Sequence, residues 1–279
     1  MIKFILATAL LISSAIAADP VQLDVMSFNI RYGSANDGPN SWEHRKELVY
    51  QVLKDHQPDI VGLQEAQPFQ IKAMQAACPQ YALVGRSREV DPEGGEWCGI
   101  FYKEERLKLL KTETFWLSDT PEEPGSKHWG NKPPRIVTWA RFEEQASGRT
   151  FAIYNTHFDH QSQLARENGA KLSLERMAAH EPKGEPIVFM GDLNADENNP
   201  VIATLSASMT DTFQLLHPEE PKRATMSRWS GNTEGRRIDY IFTSPKHWKI
   251  KRARILRDHS EDGRYPSDHY PVDARLILK

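Results

Sequence analysis

Cysteine is scarce: Cys78 and Cys98 are the only two in 279 residues. A thiolate-rich metal centre is thereby excluded, and at most one disulfide is available. An oxidising compartment would permit that bridge; two small buried thiols are the alternative, and sequence separation does not decide between them. A basic surplus is missing too. Net charge is −3, and the densest basic run, Lys249 to Arg254, reads as the solvated face of a strand. The electrostatic footprint expected of a nucleic-acid binder is not visible. Low-complexity tracts, short repeats and long linkers are absent. Beyond the first residues, no apolar run is long enough to cross a bilayer.

The first residues have their own pattern. Met1-Ile2-Lys3 carries one positive charge, Phe4 to Ile12 is apolar, and Ala15 and Ala17 form an Ala-x-Ala site. That order is a secretory signal peptide over residues 1–17. No cysteine follows the site, so a lipid anchor is not expected. The chain is expected to be exported, periplasmic or secreted, with no stable membrane anchor. Residues 18–279 read as one domain, with 39% hydrophobic residues and seven Trp to build its core.

Hydrophobic periodicity gives the elements. Strands are expected at 23–30, 59–65, 81–85, 99–103, 107–117, 136–142, 151–158, 186–190, 238–243, 248–255 and 272–278. Helices are expected at 42–55, 69–77 and 165–180, the first capped by Ser41 with Glu43 in its first turn. The order is strand–helix–strand, a strand-rich block, then strand–helix–strand again from about Ile136. Two packed mixed β-sheets flanked by helices fit it: an α/β (α+β) fold of four layers, α/β/β/α.

Polar residues repeatedly end the apolar strands. Asn29 ends the first and Gln64-Glu65 the second. Asn155-Thr156-His157-Phe158-Asp159-His160 ends another. Gly191-Asp192-Leu193-Asn194 follows the buried-looking run Pro186 to Met190, and strand alternation would put Asp192 and Asn194 on one side. Ile238-Asp239-Tyr240 and Ser267-Asp268-His269 complete the set. Each has a bland reading alone: Asn29 and Asp268 as turn residues, Glu65 as a surface charge, Asp239 as half of a buried pair, His157 as a core histidine. Together, buried carboxylates demand partners or metal. Oxygen-rich ligands suit Mg²⁺ or Mn²⁺, with Ca²⁺ a further candidate. A zinc site on His157 and His160 lacks further ligands.

These six motifs, in this order over nearly the whole chain, resemble the endonuclease/exonuclease/phosphatase superfamily, which is deoxyribonuclease-I-like. Phe28-Asn29-Ile30-Arg31, Phe115-Trp116-Leu117-Ser118, Pro124-Gly125-Ser126-Lys127 and Thr138-Trp139-Ala140-Arg141 are similar to a secreted bacterial branch. The resemblance implies a divalent-metal phosphoesterase using in-line attack by water. It implies Glu65 as a metal ligand with Asn29 and Asp268 beside it, and Asp192 holding or deprotonating the water. Asn194 would donate to the phosphate. Asp239 would orient His269 as a phosphate donor, and His157 would stabilise the transition state or protonate the leaving oxygen.

Arg135, His160 and Arg166 are candidate substrate contacts, Arg135 because a guanidinium forks onto phosphate. A surface ion pair for Arg135 and helix capping by Asp159-His160 are the alternatives. Trp42, Trp116, Trp129 and Trp229 are candidate substrate platforms, with core packing expected for Trp116 and the rim for Trp129 and Trp229. Loops 86–97, 118–134 and 222–235 should set substrate choice. Near-neutral charge and the lack of basic stripes favour a small phosphoester substrate; a monomer is expected. An extracellular endo- or exonuclease is the alternative, and a catalytically silent binding module stands third.

Overall fold

A computed structural model describes residues 20–279. The segment read as a signal peptide, 1–17, lies outside the described residues. One sheet holds β1 (Gln22–Asn29), β2 (Ile60–Gln64), β3 (Tyr81–Val84), β4 (Ile100–Lys103), β11 (Trp248–Ile255) and β12 (Val272–Leu278), in the order β11-β12-β1-β2-β4-β3. The other holds β5 (Leu107–Trp116), β6 (Ile136–Glu144), β7 (Arg149–His157), β8 (Ile187–Asp192), β9 (Thr210–Asp211) and β10 (Asp239–Thr243), in the order β5-β6-β7-β8-β10-β9. Each sheet has one parallel pair, β1–β2 and β7–β8; its other pairs are antiparallel. Parallel neighbours need a crossover. Helix α1 (Trp42–His56) supplies the first and α3 (Gln163–His180) the second. The repeated order read from the sequence is therefore a repeated topology.

Alternation along the strands builds the layers. Leu23, Val25 and Ile60 face Ile153, Val188, Met190 and Ile241 in the core between the sheets. Met26, Phe28, Val61 and Leu63 face outward onto α1 and α2 (Pro68–Ala77). Ala152, Tyr154 and Phe189 face outward onto α3 and α4 (Pro200–Ser206). Each fully buried aliphatic or Phe side chain contributes about 1.5–3 kcal/mol by leaving water. Among the described residues, no helix is long and apolar enough to cross a membrane.

The same alternation positions the polar residues. The inward face of β1 runs Leu23, Val25, Ser27, Asn29; that of β7 runs Ile153, Asn155, His157; that of β8 runs Val188, Met190, Asp192. Each changes from apolar to polar toward the strand's C-terminal end. Beneath that end an amide bridge joins the sheets. Asn155 Nδ2 donates to the carbonyls of Leu63 (2.8 Å) and Gly99 (2.9 Å), and Gln64 Nε2 donates to Asn155 Oδ1 (2.6 Å). Gly62 makes room for it, since a Cβ there would sit 2.6 Å from Asn155 Oδ1.

Several details differ from expectation. α4, β9 and α5 (Thr212–Leu216) were not expected; they are short, and caps rather than periodicity define them. Asn199 accepts from Val201 N, and Asp211 accepts from Phe213 N and Gln214 N. Ser41 occupies the cap position of α1, but its hydroxyl makes no capping bond. Cys78 and Cys98 are both free and buried, Cys78 beneath the α1–α2 layer and Cys98 beside Trp116 and Ile136. The basic run lies on β11, where Arg252 and Arg254 pair with Asp273.

Candidate active site

A cleft of about 330 Å³ opens over the polar ends of the strands. Eight of the eleven site residues expected from sequence line it: Glu65, Arg135, His157, His160, Asp192, Asn194, Asp268 and His269. Asn29 and Asp239 lie directly behind this lining. The chain turns sharply where it meets the cleft: Arg31, Glu65 and Asn194 adopt left-handed backbone with φ of 56°, 59° and 49°. Such conformations cost about 1–3 kcal/mol each and cluster at functional sites.

Asp192 ends β8 at the centre of the cleft floor. Gly191 before it has φ 150°, and a Cβ there would lie 2.0 Å from Thr156 O, so only glycine lets β8 approach β7 so closely. Asp192 Oδ2 accepts from Asn29 Nδ2 (3.0 Å), and Oδ1 accepts from Asn194 N (2.9 Å). His157 Nε2 lies 3.4 Å and His269 Nε2 3.8 Å from Asp192 Oδ2. Burial, then the neighbouring Asp239 carboxylate, pushes the Asp192 carboxyl up to about 7. Strand alternation does not explain the Asp192–Asn194 pairing. The strand ends at Asp192, and the left-handed turn at Asn194 brings it into the cleft, with Nδ2 donating to Phe158 O (3.0 Å).

The two histidines are pushed in opposite directions. His269 Nδ1 lies 2.9 Å from Asp239 Oδ2. Burial opposes a charge on His269, but the Asp239 and Asp192 carboxylates outweigh it and raise its pKa well above the ordinary value. Burial, then the charges of Arg135 and Arg88, lowers His157 well below it. A charged ring and a neutral ring thus flank one carboxylate.

Glu65 and Asp268 face the other part of the floor. Glu65 Oε1 accepts from Asn29 Nδ2 (3.1 Å) and Oε2 from Tyr32 N (3.1 Å). Burial raises the Asp268 pKa, and Glu65 adds to the rise. Two groupings could hold a cation. The Glu65 and Asp268 carboxylates, with Asn29 beside them, offer oxygen ligands suited to a hard divalent ion, while Asn29 turns Nδ2 toward Glu65 and its Oδ1 accepts from Arg31 N. Asp192, Asp239 and His269 present ligand atoms within 4.8 Å of one another. In the second set, however, His269 and Asp239 already satisfy each other.

The wall is cationic. Arg135 is 4% exposed, so it is not a surface ion pair. Its Nη2 bonds His160 Nδ1 (2.9 Å), its Nε lies 3.6 Å from Asp159 Oδ2 in a buried ion pair, and Nε and Nη1 complete no hydrogen bond. Arg166 does not reach the cleft: its guanidinium donates to Asp159 O (2.8 Å) and Gln163 Oε1 (2.6 Å), folding back on the start of α3. Asp159 Oδ1 accepts from Gln161 N and Ser162 N in the turn before α3, but the helix is capped by Ser162, which accepts from Ala165 N, so the capping reading fails for Asp159-His160; His160 faces the cleft. No Trp lines the cleft; Trp42 and Trp116 are core, and the aromatic in the lining is Tyr32. His157 and His160 bond different partners and share no cation site.

Sequence reasoning missed Arg31, Tyr32, Arg88, Glu96, Pro133 and Met226 as lining residues. The loops expected to set substrate choice do supply four of them: Arg88 and Glu96 from 86–97, Pro133 from 118–134 and Met226 from 222–235. Arg31 belongs to the Phe28-Asn29-Ile30-Arg31 motif but carries no chemical signal of its own; it is anchored by Asp37 at 2.9 Å.

A family model described as the endonuclease/exonuclease/phosphatase family matches residues 26–269. A family protein of that description from Bacteroides thetaiotaomicron superposes with a TM-score of 0.85 at 30% identity, covering 93% of this chain and 99% of that one. A mannosyl-6-phosphatase of the same organism superposes with a TM-score of 0.84 at 31% identity, covering 91% and 99%. Nocturnin of Drosophila melanogaster is 27% identical over 93% of this chain, which spans about half, 48%, of that protein's length.

Proposed function

The chain belongs to the endonuclease/exonuclease/phosphatase family, and on that premise we propose that it is an exported phosphoesterase hydrolysing a small phosphoester by in-line attack of water. The family's members are metal-dependent hydrolases of phosphoester bonds. The observation that carries the reading is Asp192, buried between a charged and a neutral histidine. Titratable groups driven apart in pKa are the arrangement of acid–base work at neutral pH.

Asp192 is the proton acceptor. Its carboxyl, raised to about 7, is basic enough to take a proton from water as the oxygen attacks phosphorus. Asn29 and the Asn194 backbone fix its two oxygens, so the water is met by a carboxylate of one orientation. His269, held charged by Asp239, donates from Nε2 to the phosphoryl oxygens. His157, held neutral, contributes a hydrogen bond rather than a charge. Asn194 orients the phosphate, and Arg135, whose side chain lines the cleft, binds its anionic oxygens.

Glu65 and Asp268, with Asn29 beside them, would hold Mg²⁺ or Mn²⁺. Burial raises the Asp268 pKa and repulsion from Glu65 adds to the rise, whereas Asp239 and His269 are committed to each other. When bound, the cation would offset the charge that develops on the phosphoryl oxygens. The mannosyl-6-phosphatase relative supports a phosphomonoester of a sugar over a polymer. Export rests on the signal-peptide pattern of residues 1–17 and is checked by mass spectrometry of the N-terminus after fractionation.

Phosphate release from sugar phosphates, beside degradation of plasmid DNA and RNA, tests the reading with Mg²⁺, Mn²⁺ or chelator. Metal-dependent release from the small esters supports it. Salt-sensitive cleavage of the polymers alone would replace it with the nuclease reading.

A further inference from the structure

The hydrolytic residues leave one charged pair of the cleft wall unused. Arg88 Nη1 and Nη2 donate to Glu96 Oε2 and Oε1 at 2.7 and 2.8 Å. Both residues line the cleft together with Glu65, His157 and Asp192. Their side chains are 15% and 18% exposed, so an edge of the pair meets the cleft while most of it is buried. Burying two charges is a poor route to stability, since desolvation offsets the attraction.

Hydrogen bonds tie the loop that holds the pair to its neighbours. Arg88 N donates to Glu96 O (3.0 Å), and Trp116 Nε1 donates to Arg88 O (2.7 Å). Trp97 N donates to Ala66 O (2.8 Å), docking the loop onto the residue that follows Glu65. The pair is therefore held in a set relation to the phosphate-processing end of the cleft.

The unused valences identify what the pair can read. A guanidinium has five N–H groups and a carboxylate about four lone-pair directions. The mutual fork uses two of each. Arg88 Nε is buried and turned to Glu89 at 3.5 Å, so the second N–H of each terminal nitrogen is what remains beside the carboxylate's open lone pairs. Donors and acceptors therefore lie side by side. A phosphate oxygen only accepts, and Glu96 would repel it. A hydroxyl both donates and accepts, and adjacent hydroxyls match such a pair. Arg135 is the opposite case: it lines the cleft, bonds His160 and meets Asp159 only at 3.6 Å, without a bidentate carboxylate fork, so it suits the phosphate. Anion and hydroxyl recognition thus fall on different residues of one wall.

We propose that the Arg88–Glu96 pair is the specificity determinant of the cleft, reading adjacent hydroxyls on the leaving group, so that the substrate is the phosphate monoester of a sugar or sugar-like polyol. This rests on the phosphoesterase reading above. The step is hydrolysis: water oxygen bonds to phosphorus, the P–O bond to the polyol breaks, and the polyol oxygen leaves as a hydroxyl.

The test compares glucose 6-phosphate, its single-deoxy analogues and phenyl phosphate on wild type, Glu96→Gln and the control Glu89→Gln. In wild type, kcat/KM should favour the sugar ester, and at least one deoxy analogue should lose that advantage. In Glu96→Gln the ratio of sugar to phenyl ester should fall about tenfold or more. The same deoxy analogue should then lose nothing further, because hydroxyl and carboxylate form one interaction. Glu89→Gln should keep the wild-type ratio. Calorimetric binding in an Asp192→Asn background should show Glu96→Gln weakening glucose 6-phosphate far more than inorganic phosphate.

Should Glu96→Gln fail to fold, Arg88→Lys, which keeps the charge but not the fork, reads the same ratio. Equal losses on sugar and phenyl esters, or a wild type preferring phenyl phosphate to every sugar phosphate, would overturn the proposal while leaving the phosphoesterase reading intact. A wild type that cleaves no ester at all would sink both.

Discussion

Replacing Asp192 by Asn should stabilise the metal-free protein at pH 8 while removing its activity. Asp192 is 1% exposed. Burial, then the Asp239 carboxylate, raises its pKa from 3.8 to about 7, against the opposing help of His269, Asn194 and Asn29. A native pKa above the unfolded value means that stability is full at pH below the unfolded value and is lost as pH rises through the native one. At about 1.36 kcal/mol per tenfold change in proton affinity, the charged carboxylate costs about 4 kcal/mol above pH 7. Asparagine removes that charge, but its Nδ2 must face either the Asn29 amide or the Asn194 N–H. One poorly met donor returns about 1–2 kcal/mol. A net gain of about 2 kcal/mol corresponds to a rise of about 4–8 °C in Tm for a domain of this size. At pH 5, where native Asp192 is already protonated, the gain should nearly vanish. Thermal unfolding by circular dichroism in chelator at both pH values checks this, beside a fall in kcat of about 10²–10⁴-fold with metal. A variant less stable than wild type at pH 8, or an equal difference at both pH values, would refute the reasoning.

The dyad behind the cleft gives a second expectation. Asp239→Asn removes the carboxylate that holds the His269 proton, so kcat should fall about 10²–10⁴-fold. The alkaline limb of the pH–rate profile should also move to lower pH, as a profile from pH 6 to 10 would show. Arg135→Gln should lower kcat/KM about tenfold or more, the worth of a charged hydrogen bond to phosphate. Arg166→Gln should stay within about twofold, because its guanidinium serves only the start of α3; steady-state kinetics on the pair decides. Glu65→Gln should weaken Mn²⁺ binding at least about tenfold by calorimetry, whereas Asp239→Asn should not. The reverse order would move the cation to the Asp192, Asp239 and His269 grouping.

Much of this was legible because inward-facing strand positions carry the chemistry. A polar residue at the end of an alternating apolar series is visible in one dimension, and Asn29, Gln64, His157, Asp192 and Asp239 all stand at such positions. The two sheets were legible from the repeated strand–helix–strand order. Features closed by three-dimensional contact were not. Arg88 and Glu96 are eight residues apart in a loop, and nothing local marks them as a fork. Arg166 has the residue type of a phosphate contact, but its carbonyl partner at Asp159 turns it away. Asn194 reaches the cleft through a left-handed turn rather than strand alternation. α4 and α5 are too short for periodicity to reveal.

The central claim is metal-dependent phosphoester hydrolysis on Asp192. Its most direct measurement is nitrophenol release from p-nitrophenyl phosphate and bis(p-nitrophenyl) phosphate, with Mg²⁺, Mn²⁺ or chelator, on wild type and Asp192→Ala. The account predicts release that needs the cation and disappears in the variant. Release that survives chelator, or that Asp192→Ala leaves unchanged, would contradict it.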